Sequence, residues 1–180
     1  MYALPIRSAC PGEDSQDEHE TRRHRDPPKQ VYDYSKFDIV RATQYGSLER
    51  VTELVEAGAD INEPDAETVT LLHWAAINNR KEIVKWLIAK GAHVDAVGGE
   101  LASTPLHWAT RQGHLETVTL LMRAGADPTL RDCEGFACIH LAAQFGHTGI
   151  VAYLVAKGVN PNTPDRSAMT PLMWSAYKIN

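Results

Sequence analysis

From residue 33 onward the apolar positions fall in short helical runs, each stopped by glycine and separated by polar, turn-rich stretches. In LETVTLLMRAG, Leu115, Val118, Leu121 and Met122 share one face of a helix that Gly125 ends. Just before it, Thr104 is placed to cap a shorter helix through its hydroxyl, and Pro105 fits the first helical position, where no amide hydrogen is needed. Leu106 and Ala109 supply a small, close-packing inner face, and Gly113 can take the left-handed conformation that ends this helix. Two antiparallel helices and a turn result. The stretch ADPTLRDCEGFA, with Asp127, Pro128, Asp132 and Gly135, predicts an extended, hairpin-like finger joining one pair to the next. The same pattern predicts helix pairs near 37–45 and 48–57, 71–79 and 81–90, 105–112 and 115–124, and 138–145 and 148–157.

The pattern is a repeat. TLLHWAAINN from Thr70, TPLHWATRQG from Thr104, ACIHLAAQFG from Ala137 and TPLMWSAYKI from Thr170 begin 34, 33 and 33 residues apart. A second marker, GAD at Gly58, GAH at Gly91, GAD at Gly125 and GVN at Gly158, recurs at 33, 34 and 33 residues. Each pair is apolar on more than one side, so no unit hides its core alone and neighbours must stack. T-P-L-H, Ala-Ala, Gly-His, an apolar helix and Gly-Ala-Asp at this period resemble the ankyrin repeat family over residues 37–180. The resemblance implies an all-α, ankyrin-repeat solenoid over 33–180, with repeats at about 33–66, 67–100, 101–133 and 134–166 and a truncated fifth at 167–180. The first unit keeps Ala42, Gly46 and Gly58 but has Asp38 to Arg41 in place of T-P-L-H, as an N-terminal cap would. The fifth opens at Thr170-Pro171 and the sequence stops at Asn180, which gives the expectation of a fragment.

Composition narrows the function. With 18 Lys+Arg against 23 Asp+Glu the net charge is −5, which argues against nucleic acid, since a phosphate backbone requires a basic stripe. The longest apolar stretches, such as 151–156, are about a third of the roughly 18 residues a membrane span needs, so no direct membrane insertion is expected. No basic start leads into an apolar leader, and Cys10, Cys133 and Cys138 form no disulfide framework, which fits a reducing, cytosol-facing setting. Residues 1–32 are almost without apolar side chains between Pro11 and Gln30 and are read as a disordered arm closed by Pro27-Pro28.

The chemistry-bearing residues mostly have structural explanations. His73, His107 and His140 recur in register, and in T-x-x-H the imidazole can accept from the Thr hydroxyl and donate to the backbone of an adjacent turn. Repeats lie about 10 Å apart by helix packing, too far for metal ligands that approach to about 2 Å. Cys133 and Cys138 are a C-x4-C pair without a second pair, so neither a metal nor another cofactor is assigned. No phosphate loop, nucleophile elbow or carboxylate pair is present, and no catalytic residue is assigned to this chain. Trp74, Trp108 and Trp174 share one repeat position, occupied by Leu141 in the fourth unit. An indole there either packs on the neighbouring repeat or borders the concave surface as a platform for a peptide side chain.

A closer resemblance rests on departures from the repeat consensus: Trp74 with Ile77-Asn78-Asn79, Leu101 to Thr104 before Pro105, and Ala143-Gln144-Phe145. Over about residues 33–180 the chain resembles the ankyrin region of the huntingtin-interacting DHHC palmitoyltransferases. In that family a cytosolic ankyrin domain precedes transmembrane helices and a cysteine-rich DHHC domain in Golgi and vesicular membranes. The resemblance implies a monomeric module binding proteins with exposed extended segments of the type aliphatic, β-branched or aliphatic, two variable residues, Gln, Pro. A Trp stacks on the proline and an Asn bonds the peptide, and the matching positions here are Trp108 and Asn78, with Trp74, Ile77 and Gln112 as weaker contacts. The parent would be a protein-cysteine S-palmitoyltransferase acting at the cytosolic face of Golgi or vesicle membranes. The alternative is a stand-alone cytosolic ankyrin adaptor or scaffold unconnected with acylation.

Overall fold

The computed structural model describes residues 33–177; the disordered arm expected over 1–32 lies outside the described residues. Among the described residues there are nine α-helices and no strand. After a single 3-10 turn at Tyr34–Lys36 come α1 (Ile39–Tyr45), α2 (Leu48–Glu56), α3 (Leu71–Ile77), α4 (Lys81–Ala89), α5 (Pro105–Arg111), α6 (Leu115–Arg123), α7 (Cys138–Gln144), α8 (Thr148–Ala156) and α9 (Pro171–Tyr177). The fold is all-α, and the helix ranges agree with the sequence pattern to within two residues.

Local chemistry sets the ends. Asp38 caps α1, its Oδ1 accepting the Arg41 N–H at 2.7 Å, so the first unit replaces the Thr cap with a carboxylate. Pro105 opens α5 as expected, with the Thr104 hydroxyl accepting the His107 N–H at 3.4 Å. Gly46, Gly113 and Gly146 leave the first helices with φ of 87°, 79° and 76°. In the second unit Asn79 takes that left-handed position, at φ 54°, and its Oδ1 accepts the Thr117 hydroxyl at 2.8 Å.

The first helices pack in chain order, α1 on α3, α3 on α5, α5 on α7 and α7 on α9, while α4, α6 and α8 stack behind them. Leu72, Leu106 and Ile139 repeat at one register with Ala75, Ala109 and Ala142, and Leu87, Leu121 and Leu154 answer them from the second helices, all buried. The alanines let the first helices approach closely, which the leucines then fill. Leu115 departs from its predicted place on the buried face of α6. It stands at the first helical position and is 40% exposed, while the fully buried Thr117 bonds back to Asn79 instead.

The fingers share a closure. Asp65 N donates to Val69 O at 3.0 Å, Asp132 N to Phe136 O at 3.0 Å and Asp165 N to Met169 O at 2.8 Å. The finger before α5 has one residue more and closes as an isolated antiparallel bridge, Gly98 N to Ser103 O and Ser103 N to Gly98 O, both 3.0 Å.

Candidate functional site

Two rows of side chains run across the repeats, and the first is structural. The Thr70 hydroxyl donates to His73 Nδ1 at 2.8 Å and the His73 Nε2 bonds Ser103 O at 3.0 Å. Thr104 and His107 repeat this at 2.8 Å, with His107 Nε2 reaching Leu130 O at 3.0 Å and Phe136 O at 3.2 Å. His140, whose unit lacks the Thr, accepts the Ala137 N–H at 3.2 Å and donates to Thr163 O at 2.8 Å. Each imidazole thus carries its proton on Nε2 and ties its helix to the following finger. Burial lowers all three below the ordinary histidine value of 6.5 and keeps them neutral. A second set ties the N-cap of each second helix to the first helix of the preceding unit: Arg80 Nε donates to Gln44 O at 2.7 Å, His114 Nε2 to Ile77 O at 3.0 Å and His147 Nε2 to Arg111 O at 3.1 Å. These bonds satisfy carbonyls at helix ends that have no partner within the helix.

The cysteines do not converge. Cys133 is exposed and Cys138 buried, and burial pushes the Cys138 thiol up to about 12, so it is a protonated core side chain. Among the described residues no group of three His, Cys, Asp or Glu side chains is placed to hold a metal ion.

The second row is that of the tryptophans, all half-buried. The Trp74 indole N–H donates to Asp65 Oδ2 at 2.8 Å, and the Trp174 N–H to Asp165 Oδ2 at 2.7 Å. In both fingers the other carboxylate oxygen accepts two backbone N–H groups, Glu67 and Val69 in one and Ser167 and Met169 in the other. Trp174 also takes an edge contact from Phe136 at 5.3 Å. Trp108 differs, because its Nε1 is buried with no hydrogen-bond partner. Leu141, the fourth member, is wholly buried.

Asn78 is the C-cap of α3, half-buried, with Nδ2 donating to Trp74 O at 2.9 Å. The amide keeps a second N–H and its oxygen for other bonds. Asn78 lies one turn beyond Trp74, the counterpart of Trp108, so with α3 packed on α5 the two predicted contacts stand diagonally across neighbouring helices. Ile77 offers its carbonyl to His114, and Gln112 is the exposed C-cap of α5. Neither Asn78 nor Trp108 lines the hollow of about 370 Å³ between α4 and α6 or that of about 490 Å³ beside α9.

Arg111 was not among the residues singled out from sequence. Its guanidinium lies 5.9 Å from the Trp108 ring centre and 5.5 Å from that of Phe145, and its Nη2 is 3.2 Å from Asp132 Oδ2. The Asp132 side chain is fully buried, and its Oδ1 accepts Glu134 N at 3.1 Å and Phe136 N at 2.9 Å. The available signal was the i, i+3 spacing of Arg111 from Trp108 on α5.

A family model described as ankyrin repeats (3 copies) matches residues 39–132 and 106–180. The chain is 60% identical over 147 residues to palmitoyltransferase Hip14 of Drosophila melanogaster, covering 82% of this chain and 23% of that protein. It is 60% identical over 150 residues to palmitoyltransferase ZDHHC17 of Danio rerio and 61% identical over 149 residues to palmitoyltransferase ZDHHC13 of Mus musculus, each covering 83% of this chain and 24% of the relative. The chain therefore spans about a quarter of the length of the curated relatives it matches.

Proposed function

The chain belongs to the ankyrin-repeat family, and from that premise we propose that it is a protein-interaction module that recruits substrate proteins through an extended Gln-Pro peptide motif, as part of a DHHC protein S-palmitoyltransferase. The observation that carries this reading is the pair Asn78 and Trp108, on the adjacent helices α3 and α5 in a chain 60% identical to palmitoyltransferases. The half-buried indole supplies rigid apolar area for a proline ring, and the Asn amide supplies donor and acceptor for a peptide group. Trp74 and Ile77 extend the contact along α3, and Gln112 at the C-cap of α5. In this reading the module is a monomer that works at the cytosolic face of Golgi or vesicle membranes, and acyl transfer belongs to parts of the parent other than these residues. Among the described residues no helix is long and apolar enough to cross a membrane.

Calorimetry with a synthetic peptide carrying the Gln-Pro motif tests the assignment. Trp108→Ala loses about 2 kcal/mol or more of binding, as an aromatic anchor does, and Asn78→Ala about 1 kcal/mol. Both variants melt close to the parent by circular dichroism if the side chains serve the ligand. Should Trp108→Ala melt far lower while its folded fraction binds the peptide normally, Trp108 is a core filler and the assignment fails.

A further inference from the structure

The repeat treats one tryptophan differently, and the reason lies in the finger before it. Asp65 and Asp165 each fix the indole nine residues downstream, at 2.8 and 2.7 Å. By its closing hydrogen bond Gly98 stands where those aspartates stand. A Cβ at Gly98 would run into the backbone carbonyl oxygen of Thr68, so that position cannot carry a carboxylate. Trp108 is left with its N–H buried and unbonded.

The fourth unit has the complementary surplus. Asp132 is its finger aspartate, but Leu141 replaces the tryptophan that would use it. Arg111 connects the two. Its Nη2 donates to the spare Asp132 oxygen at 3.2 Å, and the guanidinium lies over the Trp108 ring at 5.9 Å and the Phe145 ring at 5.5 Å from their centres. A planar cation over an aromatic face is attracted by the ring quadrupole, and the buried carboxylate keeps it from swinging away.

We propose that Arg111 is a positioning residue for Trp108, replacing the missing finger aspartate by holding the indole through its face, and that it thereby sets the affinity of the groove for an extended proline-containing peptide. The affinity half rests on the peptide-binding reading of Trp108; the positioning half is readable in the free protein.

The experiment uses Arg111→Lys and Arg111→Ala, the first keeping a cation beside Asp132 should the second fold poorly. In proton–nitrogen spectra of the free protein, with the Trp108 indole signal assigned by Trp108→Phe, both variants shift or broaden that signal and leave those of Trp74 and Trp174 in place. Affinity for the Gln-Pro peptide falls about fivefold or more, the size of one ordinary cation–π contact. In a Trp108→Ala background the Arg111 change costs nothing further. An unmoved Trp108 signal in both variants overturns the positioning half, and an Arg111 effect that simply adds to that of Trp108→Ala overturns the affinity half. Normal binding by Trp108→Ala alone overturns the peptide reading and the affinity half with it, while the indole signal still decides the positioning half.

Discussion

Two glycines show how differently the same residue is constrained. Gly125 follows α6 at φ 94° with nothing near its missing Cβ, so Gly125→Ala meets only the left-handed penalty, about 1 kcal/mol. Gly98 has no such φ but faces the Thr68 carbonyl, and Gly98→Ala forces two fingers apart at a cost of about 2 kcal/mol or more, in the range of overpacked cores. Urea unfolding of both variants checks the order; a Gly98→Ala protein as stable as Gly125→Ala would show the fingers to be compliant. Sequence alone marked Gly125 as the residue that ends its helix. It could not tell that Gly98 is required by a neighbour 30 positions earlier, Thr68.

At the scale of elements, the helices were legible because their ends are written locally, in Thr104-Pro105 and in glycines such as Gly46 and Gly113. Asn79 in the glycine position shortened the predicted 71–79 helix to Leu71–Ile77, and the Thr117 contact that anchors it joins residues 38 apart. The site was legible only in part. Asn78 and Trp108 followed from family resemblance, whereas the Trp74–Asp65 bond, its absence at Trp108 and the role of Arg111 depend on how fingers fold over helices. The histidine row does yield a prediction at this scale. His73, His107 and His140 are held neutral, so the folded chain binds protons less tightly than the unfolded chain, whose histidines titrate near 6.5. Their contribution is complete above that value and is lost as the pH falls below it. The melting temperature is therefore expected to be level between about pH 8 and 7 and to drop steadily below about 6.5, less steeply in His107→Gln. Equal melting temperatures at about pH 5 and pH 7.5 would refute this account.

Across the whole molecule, burial is uneven. The α7 residues from Cys138 to Ala143 are buried, whereas on α9 Leu172 is 74% exposed and Met173 50%. Beside them lies the hollow of about 490 Å³ bordered by Ile139, Ala143, Val151, Pro171 and Leu172. Because α9 packs chiefly on α7, its opening disturbs little else. Hydrogen exchange should find residues 171–177 much less protected than 138–144 in a monodisperse sample; equal protection would mean that α9 shares the global stability.

The bonds between units carry one more consequence. Arg80, His114 and His147 reach the main-chain oxygens of Gln44, Ile77 and Arg111, three residues with nothing in common beyond their backbone. The imidazoles of His73 and His107 likewise end on main-chain oxygens of the next unit, of Ser103 and Phe136. In these joints a unit asks its neighbour only for a carbonyl at a fixed place, unlike the Thr117–Asn79 bond, which needs a particular side chain. Copying a unit, deleting one or exchanging their order leaves these polar joints intact without any matching change next door. A gene encoding such a chain can thus lengthen or shorten by whole units while the surface side chains drift toward new ligands.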